Sequence, residues 1–432
     1  MKLFRGTTTT LIAVSGLLVM GTATPAHARG SPTSRVSVSS TGAESDAESF
    51  APSVSGNGRY VAFWSTASSL VAGDTNTTAD VFVRDLLART TSRVSVATGG
   101  AQADQEASEP SISGSGRYVA FSSHATDLAP GDTNDRGDIF VRDRTAATTT
   151  RVSVTSAGVE ADNTSHSPAI SADGRFVAFV SHATNLVPDD TNATEDVFVH
   201  DRRAHVTQRV SVSTAGAEAD GRSIGPTITA DGRYIAFGSF ASNLVPSGAS
   251  GVFVRDLRRN RTELASVTST GSPAGGNLGS AGAISGDGRF VAFHTDAPDV
   301  VAGDTNTVQD IFVRDLRTAS TSRAGLSSTG VQGDDDSSVP VISGDGRFVA
   351  FVSYATNLVP GDTNGVEDVF VQDRWTGSTR RVSVAGSGVQ GDGVSNSAAL
   401  SGDGSRVAFV SYAANLVPND GNGLLDVFAR TR

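Results

Sequence analysis

One nine-residue passage recurs along this chain at an almost constant interval. Ser-Gly-Asp-Gly-Arg-Phe-Val-Ala-Phe occurs verbatim at 285–293 and again at 343–351. Close copies begin at Ser55, Ser113, Ser171, Thr229 and Ser401. The spacing is 58 residues throughout, except for 56 between Thr229 and Ser285. A fixed period of this length indicates a repeat architecture, in which each unit is one small supersecondary structure that packs on its neighbours.

Each unit contains four short segments with strand character. In the sixth unit they are 340–343, 348–354, 368–372 and 381–384, all rich in Val, Ile, Phe or Thr and separated by Gly, Asp, Asn and Pro. Beyond the amino-terminal segment, no 11-residue stretch shows the 3.6-residue period of a helix. Four antiparallel strands repeated seven times predict an all-β, seven-bladed β-propeller. Its units start near residues 51, 109, 167, 225, 281, 339 and 397.

The two ends of the repeat array predict how the ring closes. The seventh unit ends after its third strand, whereas an Arg-Val-Ser-Val segment typical of the fourth strand stands alone at 35–38. We therefore expect 35–38 to pair with 426–430 and to complete the last blade, which removes an open sheet edge. The propeller then covers residues 35–432.

The amino terminus has the features of an export signal. Lys2 and Arg5 precede a short apolar run at 11–20, and Ala-His-Ala at 26–28 fits a small-residue cleavage site. We predict a signal peptide over 1–28, a short segment over 29–34, and an extracellular or periplasmic protein. The apolar run is too short to span a bilayer, and the chain has no Cys for disulfides or thiolate ligands.

The charge of the chain narrows the classes of partner. The formal net charge is −11, and loss of a signal peptide with its two cationic residues makes it about −13. An acidic chain without a basic stripe argues against nucleic acid and anionic membranes as partners. We expect a monomer whose partner is an extracellular protein or a polysaccharide.

The repeat resembles the WD40-like propeller repeat of the TolB type. That pattern is Pro-x-Trp-Ser-Pro-Asp-Gly-Arg followed by a strand ending in Ala-Phe, and residues 168–179 read Pro-Ala-Ile-Ser-Ala-Asp-Gly-Arg-Phe-Val-Ala-Phe. The resemblance covers nearly all of 35–432 and implies a propeller fold. It departs at the Trp, which is Val, Ile or Leu here, and at the second Pro. The chain also has no counterpart of the amino-terminal α/β domain of TolB, so a role in the Tol system is not implied.

Acidic residues recur in two loops that open on the same face of a propeller. The second-to-third loop carries the pattern Asp-x-Asn-x-x-x-Asp, at Asp74/Asn76/Asp80, Asp132/Asn134/Asp138, Asp190/Asn192/Asp196, Asp304/Asn306/Asp310, Asp362/Asn364/Asp368 and Asp420/Asn422/Asp426. The fourth-to-first loop adds one acid nine residues before the repeat Ser, at Asp46, Asp104, Asp162, Asp220, Asp334 and Asp392. Clustered carboxylates and a carboxamide suit Ca²⁺, whereas the same residues also form Asx-turns in tight loops.

The fourth blade lacks both acidic patterns. Its second-to-third loop shrinks to 247–251, and Gly276 stands where the loop leaving the blade should carry Asp. This joint loss predicts that the two loops interact, so that Asp392 would lie near Asp362, Asn364 and Asp368 in blade 6. We expect weak Ca²⁺ sites in the other six blades, or plain turn chemistry if the carboxylates bond backbone N–H groups.

A second pairing is expected on the opposite face. An Arg after the repeat Gly accompanies an Asp at the end of the third strand, at Arg59/Asp85, Arg117/Asp143, Arg175/Asp201, Arg233/Asp256, Arg289/Asp315 and Arg347/Asp373. The seventh unit has Ser405 and Thr431 instead, which favours a structural ion pair in the other six.

Signals for catalysis are few. Gly-Arg-Ser-Ile-Gly at 221–225 matches a nucleophile motif but lacks its strand-to-helix context. The position just past the second strand varies among near-identical repeats, and five of its side chains are ligand candidates: His124, His182, Phe240, Tyr354 and Tyr412. It is either a ligand site or a tolerant loop position. The leading function is a secreted, non-catalytic module that presents an acidic face to a protein, a polysaccharide or Ca²⁺. The alternative is a secreted lyase or hydrolase acting on a carbohydrate-like substrate.

Overall fold

Seven four-stranded antiparallel sheets make up the part of the chain that the structure describes. The computed structural model describes residues 32–276 and 282–432, so the predicted signal peptide and the unit start near 281 lie outside the described residues. Sheet order follows chain order in six of the sheets, and the seventh sheet has the order β1-β28-β27-β26. The predicted seven-bladed, all-β propeller is confirmed. The described chain contains no helix long and apolar enough to cross a membrane.

The strands of the first four blades have the following bounds. Blade 1 is β2 (Ser49–Val54), β3 (Tyr60–Ser65), β4 (Asp80–Asp85) and β5 (Thr90–Arg93). Blade 2 is β6 (Ala107–Ile112), β7 (Tyr118–Ser123), β8 (Asp138–Asp143) and β9 (Thr148–Arg151). Blade 3 is β10 (Ser165–Ile170), β11 (Phe176–Ser181), β12 (Asp196–Asp201) and β13 (Val206–Arg209). Blade 4 is β14 (Ser223–Ile228), β15 (Tyr234–Ser239), β16 (Gly251–Asp256) and β17 (Arg261–Leu264).

The last three blades follow the same plan. Blade 5 is β18 (Ala283–Ile284), β19 (Phe290–Thr295), β20 (Asp310–Asp315) and β21 (Ser320–Ala324). Blade 6 is β22 (Ser337–Ile342), β23 (Phe348–Ser353), β24 (Asp368–Asp373) and β25 (Ser378–Arg381). Blade 7 is β26 (Ser395–Leu400), β27 (Arg406–Ser411) and β28 (Asp426–Thr431), with β1 (Thr33–Arg35) as its fourth strand.

The amino-terminal strand closes the ring, but two residues earlier than predicted. Thr33 pairs with Arg430 and Arg35 pairs with Phe428, so the ladder precedes Val-Ser-Val rather than containing it. The same shift occurs in blade 6, where the fourth strand ends at Arg381. The ladder stops because the chain makes a tight turn: in blade 1 the Val96 N–H donates to the Val94 carbonyl at 2.9 Å. Beyond this turn the Ser95 hydroxyl, rather than a backbone group, accepts the Val81 N–H at 3.1 Å.

Each hydrophobic core lies between two neighbouring blades. The Val-Ala-Phe strand alternates in direction with period two, so Phe63 packs toward blade 7 while Ala62 packs toward blade 2. Within a blade, the Phe of the second strand stacks on the Phe of the third, as Phe63 does on Phe82 at 5.7 Å. Burying one such side chain contributes about 1.5–3 kcal/mol, so every blade depends on both neighbours.

The second glycine of the repeat passage is required by packing. Gly116 has φ +76°, and a Cβ placed there would lie 2.2 Å from Cδ2 of Tyr60 in the preceding blade. The guanidinium groups of Arg59 and Arg144 also contact the Tyr60 ring, at 4.9 and 4.7 Å from the ring centroid. The Gly-Arg-aromatic sequence is therefore an inter-blade joint.

The first small residue of the same passage forms a circuit around the axis. Gly114 donates its N–H to the Ala172 carbonyl, and the links Ala172 to Ala230, Ala230 to Gly286 and Gly344 to Gly402 are alike. At two further links the next residue is the donor, since the N–H groups of Asp287 and Asp403 donate to the carbonyls of Gly344 and Gly56. Only the link from Gly56 to Gly114 lacks a hydrogen bond among the described residues, and there a Cβ on Gly56 would lie 3.1 Å from the Gly114 Cα. We call this set the basal circuit.

The first strands of the blades contact one another around the ring and so line a central channel. Each fully described first strand carries a bulge whose residue has φ between 43° and 57°, at Ala51, Glu109, Ser167, Gly225, Val339 and Ser397. Bulges of this kind turn a side chain away from the ladder direction.

Candidate functional site

The loops divide the propeller into two unlike faces. The first-to-second and third-to-fourth loops share the lower face with the basal circuit. The second-to-third and fourth-to-first loops share the opposite face, which we call the mouth face. The acidic patterns and the five ligand candidates of the sequence all belong to the mouth face.

An arginine stands among the acids of the second-to-third loop in six blades. In blade 2, Nη1 of Arg151 lies 3.3 Å from Oδ1 of Asp132, 3.3 Å from Oδ2 of Asp138 and 2.6 Å from Oε1 of Glu160. The equivalent cations are Arg35, Arg93, Arg209, Arg323 and Arg381, each with both aspartates of its own blade. We call each such set an acid–Arg cluster. Sequence reasoning placed these arginines in strands and missed their role.

Each acid–Arg cluster is deeply buried, and its carboxylates are held by neutral donors as well. The Asp138 side chain is fully buried, and it accepts hydrogen bonds from the Ser153 hydroxyl and from Nδ2 of Asn134 at 3.1 Å. Burial raises the pKa of Asp132 to about 7, and the nearby charge of Asp138 adds to that shift. Burial also raises the pKa of Asp190 and of Asp310 to about 6. These carboxyls are poor permanent anions.

The asparagine of the acidic pattern serves the cluster as a hydrogen-bond donor. Nδ2 of Asn192 donates to Oδ2 of Asp196 and to the Ala219 carbonyl, both at 2.9 Å, while its Oδ1 accepts the Thr194 N–H at 3.1 Å. The last contact is an Asx-turn. The same three contacts are made by Asn76, Asn134, Asn364 and Asn422.

The role predicted for these asparagines therefore needs correction. A Ca²⁺ ligand would offer its amide oxygen to the ion, but in Asn76, Asn192 and Asn422 that oxygen accepts a backbone N–H. Asn306 differs, because its Nδ2 bonds the Gly333 carbonyl at 2.9 Å while its buried Oδ1 has no hydrogen bond among the described residues. In all of these blades the amide nitrogen binds the loop of the same cluster. The asparagines fix the two mouth-face loops to each other.

Two of the clusters meet the spacing that a metal ion needs. Ligand atoms of Asp132, Asp138 and Glu160 lie within 4.8 Å of one another, and so do those of Asp190, Asp196 and Glu218. Acidic groups of this chain could therefore bind a metal. In both sets, however, an arginine already neutralises the same oxygens, so a cation would have to replace its guanidinium.

The acid of the fourth-to-first loop does not complete the cluster of its own blade. Asp104, which leaves blade 1, accepts the N–H and hydroxyl of Thr126 in blade 2, both at 2.9 Å. The placement expected for Asp392 is therefore wrong, because its N–H bonds Asn415 of blade 7 at 3.2 Å. This is turn capping of backbone donors. The next blade is capped in the same way by Asp46, Asp162, Asp220 and Asp334.

A residue two positions earlier reaches the cluster instead. Gln390 donates to Oδ1 of Asp362 at 2.9 Å and to Oδ2 of Asp368 at 3.3 Å. In blades 2 and 3 a glutamate takes this place, and its carboxylate bonds the arginine. The sequence signal was present, because Glu or Gln precedes each of these acids by two residues.

The joint loss in blade 4 has two separate causes. The cluster disappears as a unit, since Gly251 and Leu264 replace the second Asp and the Arg. The capping Asp is missing because blade 5 offers it no donor. Pro298 occupies the position of Thr126 there and has no N–H to cap. The loop there is also one residue longer, because Ala274 bonds Ser266 as Ala219 bonds Ser211. The predicted contact between the two loops is present in the other six blades, but the Asn and the Glu or Gln two residues before the acid make it, and the acid that Gly276 replaces takes no part in it.

The ion pairs predicted for the lower face are confirmed. Six arginines contact their aspartates at 2.6–2.7 Å, among them Arg117 with Asp143. The Arg117 side chain holds the pKa of Asp143 at about 2 despite partial burial. The same aspartates accept backbone N–H groups of the third-to-fourth turn, so they organise structure.

The variable position after the second strand lies at the channel mouth. In six blades its N–H bonds the residue that precedes the first strand, as Tyr354 bonds the Asp336 carbonyl at 3.0 Å. Phe240, Tyr354 and Tyr412 are 62%, 47% and 49% exposed, although they are large aromatic side chains. We call the seven positions the mouth ring: Thr66, His124, His182, Phe240, Asp296, Tyr354 and Tyr412.

The two histidines of the mouth ring have different partners. Nε2 of His124 lies 4.0 Å from Oε1 of Glu106 in blade 2, whereas Nε2 of His182 lies 3.0 Å from Oε1 of Glu195 in blade 3. Both side chains are half-exposed, and no hydrogen bond or ion pair between them is found among the described residues.

Glu195 is the centre of a polar group that breaks the repeat. Its side chain is 9% exposed and bonds His182, Nε2 of His166 at 3.2 Å, and Nε of Arg222. The other ring nitrogen of His166 lies 3.0 Å from the Ser167 hydroxyl. Sequence reasoning missed this group because Glu195 recurs only as Glu367 of blade 6, while His166 and Arg222 are single substitutions in the repeat.

Comparisons with known proteins show the fold. No family model and no curated protein matches the chain. An oligogalacturonate lyase in complex with manganese is 11% identical with a TM-score of 0.56, covering 94% of this chain and 94% of that chain. The β-propeller domain of the Trilobed protease from Pyrococcus furiosus is 12% identical with a TM-score of 0.54, covering 89% and 95%.

TolB proteins are also among the matches. A putative TolB from Agrobacterium tumefaciens is 16% identical, with a TM-score of 0.39 over 64% of this chain and 79% of that chain. The propeller fold that the TolB-like repeat implied is confirmed, and the two better superpositions agree with it. The Trilobed protease domain is described as having an open velcro topology, whereas β1 closes the ring here.

Proposed function

We propose that this chain is a non-catalytic binding module that holds a glycan against the mouth of its channel. The observation that carries the proposal is the mouth ring. Among near-identical repeats, this position differs between blades and exposes three large aromatic side chains on a single face. Such exposure costs hydrophobic free energy unless a ligand covers the rings.

The chemistry of the mouth suits a sugar. Flat aromatic faces stack on the C–H faces of pyranose rings, and neighbouring carboxylates accept hydrogen bonds from hydroxyl groups. The Tyr412 hydroxyl donates to Oε1 of Glu48 at 3.1 Å, which orients both groups at the mouth. Phe50 and Trp64 of blade 1, whose first strand follows Glu48, stack at 4.2 Å.

A glycan is favoured over a protein partner by the spacing of these rings. Phe240 lies in blade 4, and the polar mouth position of blade 5 separates it from Tyr354 and Tyr412 in blades 6 and 7. Protein interfaces usually bury one contiguous apolar patch, whereas an oligosaccharide can use several separate stacking positions.

The enzyme alternative has less support. A lyase or hydrolase of this fold would need polar groups that converge on one reacting atom. His124 and His182 bind different carboxylates, and Glu195 is already bonded to an arginine. The likeness to an oligogalacturonate lyase concerns the fold, because identity is 11%.

Calcium binding is proposed only for blades 2 and 3, where three carboxylates lie within 4.8 Å of one another. The ion would replace the guanidinium of Arg151 or Arg209, so we expect millimolar affinity at best. Titration of Ca²⁺ while following thermal unfolding would show a rise in midpoint that the double variant Glu160→Gln/Glu218→Gln loses. A thermal midpoint that does not change at Ca²⁺ concentrations about 10-fold above the expected dissociation constant would exclude a calcium role.

The test of glycan binding uses an array of neutral and acidic oligosaccharides. The full chain should bind a subset, and Phe240→Ala/Tyr354→Ala/Tyr412→Ala should abolish that binding at unchanged thermal stability. Trp375→Ala is the matched control, since Trp375 is 67% exposed but lies on the lower face. If Trp375→Ala loses binding and the triple variant retains it, the glycan site lies on the lower face and the proposal is wrong.

Export to the extracellular or periplasmic space is part of the proposal. It rests on the signal features of residues 1–28, which lie outside the described residues. Expression of the full chain with a carboxyl-terminal tag should yield a secreted product whose first residue is Arg29 or close to it. A cell-retained product that still begins at Met1 would contradict export.

A further inference from the structure

Charge is distributed unevenly around the mouth. Glu48, Glu106 and Glu367 place carboxylates beside the mouth positions of blades 7, 2 and 6. Between blades 3 and 4 the sign changes, because Arg222 precedes the first strand of blade 4 and the loop of that blade has lost its acids. This sector is defined by Arg222, His182 and Phe240 above Glu195.

Arg222 is held so that one edge of its guanidinium faces outward. Its Nε donates to Oε2 of the buried Glu195, while the side chain remains 54% exposed. Among the described residues this is its one side-chain hydrogen bond, which leaves the Nη1 and Nη2 groups with solvent. A guanidinium fixed through Nε presents two parallel N–H donors, the geometry that fits a carboxylate.

An exposed aromatic residue neighbours Arg222 on the paired strand. The Phe240 N–H donates to the Arg222 carbonyl at 2.9 Å, so the two residues are neighbours at the ends of paired strands. Phe240 is the most exposed aromatic residue of the mouth ring, at 62%. His182 closes the other side through its own contact with Glu195 at 3.0 Å.

We propose that this sector is a subsite for a sugar that carries a carboxylate, which is to say a uronate residue within the glycan. The ring would stack on Phe240, and the carboxylate would accept two hydrogen bonds from Arg222. Glu195 is a positioning residue that fixes the guanidinium. The inference rests on the proposed glycan-binding function and names the chemistry of one of its subsites.

The carboxylates elsewhere at the mouth limit which acidic glycans can bind. A chain of consecutive uronates would place further carboxylates beside Glu106 and Glu367, where like charges repel. The preferred ligand is therefore a heteroglycan with isolated uronates among neutral sugars. A homopolymer of uronates is excluded by the same charges that surround the subsite.

The experiment measures binding of the full chain to three classes of probe by array and then by calorimetry. These are neutral oligosaccharides, the same oligosaccharides with one glucuronate, and homopolyuronates of equal length. For the best glucuronate probe, reduction of its carboxyl group to an alcohol should weaken binding by about 10- to 100-fold. Arg222→Gln should bind the acidic and reduced probes equally, whereas Arg258→Gln, an exposed arginine of the lower face, should behave as wild type.

The outcomes separate the two levels of the proposal. Binding of neutral and glucuronate probes with equal affinity would overturn the uronate subsite and leave the glycan module standing. Preference for homopolyuronates would also overturn it. Binding to no probe of any class would overturn both. Because carboxyl reduction alters only the ligand, the test remains valid even if Arg222→Gln folds poorly, and Arg222→Lys tests whether the planar fork is needed.

Discussion

The acid–Arg cluster of blade 2 gives a prediction whose magnitude follows from burial. Arg151 contacts Asp132, Asp138 and Glu160, and its side chain is 8% exposed while the two aspartates are 2% and 0% exposed. Replacing Arg151 by Leu leaves two buried carboxyls without their cation. Removal of one partner from a buried ionic set costs about 3–5 kcal/mol, equivalent to roughly a hundred- to several-thousandfold in the unfolding equilibrium.

The matched control is an arginine that pairs with a single aspartate at the surface. Arg258 lies 3.6 Å from Asp231, with side chains 68% and 54% exposed, and exposed pairs contribute about 0–1 kcal/mol. Urea unfolding followed by fluorescence and circular dichroism should therefore show a large loss for Arg151→Leu and little for Arg258→Leu. The two probes must coincide for the free energies to be compared.

Replacing all charged groups of this acid–Arg cluster by neutral residues tests whether buried charge explains the loss of stability. Blade 4 already has Leu264 and Gly251 in these places, so the fold accepts an uncharged version. Asp132→Asn/Asp138→Asn/Arg151→Leu should regain most of the stability that Arg151→Leu loses. If the single variant is no less stable than Arg258→Leu, or the triple variant regains nothing, buried charge compensation is the wrong account of these loops.

Three further outcomes are expected. Deleting the segment up to the end of β1 should lower the thermal midpoint sharply, because it exposes the edge of β28 and opens the ring; an unchanged midpoint would contradict closure. Gly116→Ala should destabilise more than Gly73→Ala, since both have positive φ but only the first would meet Tyr60, at 2.2 Å, whereas Gly73 has open space; equal losses would deny the packing role. Stability should be greatest near about pH 4, close to the pKa of an unfolded Asp. Asp143 (pKa about 2) loses its contribution as pH falls below that value, and Asp132 (pKa about 7) loses its contribution as pH rises from there to about 7; unfolding scans with a flat maximum from pH 4 to 8 would contradict it.

The fold could be predicted from the sequence because the repeat encodes it locally. The period, the Val-Ala-Phe alternation and the displaced amino-terminal segment each specify one feature of the propeller. The error in the fourth strand arose because Val-Ser-Val has strand composition, whereas Ser95 donates to Asp80 and accepts the Val81 N–H at 3.1 Å. A side chain replaces the ladder there, and composition cannot show that.

The site was harder to predict because its contacts join segments that are distant in sequence. The acidic pattern was visible, but the arginine that neutralises it lies 13 residues beyond the second Asp, as Arg151 does beyond Asp138. The capping acids were assigned to the wrong blade because spacing alone does not show to which neighbour a loop turns. The Glu195 group joins three separate strand ends, and its two histidines and its arginine do not recur together in another blade.

The basal circuit constrains how such a chain can change its copy number. Gain or loss of one repeat by recombination would alter the angle between every pair of neighbours, and the small residues leave little slack, since a Cβ on Gly344 would lie 2.7 Å from the Gly402 carbonyl. A duplication is therefore tolerated only if the whole circuit re-forms at a new diameter. The mouth positions, by contrast, already carry Thr, His, Phe, Asp or Tyr in different blades. The basal circuit on the lower face therefore fixes the number of blades, whereas substitutions in the mouth ring can change the binding specificity one blade at a time.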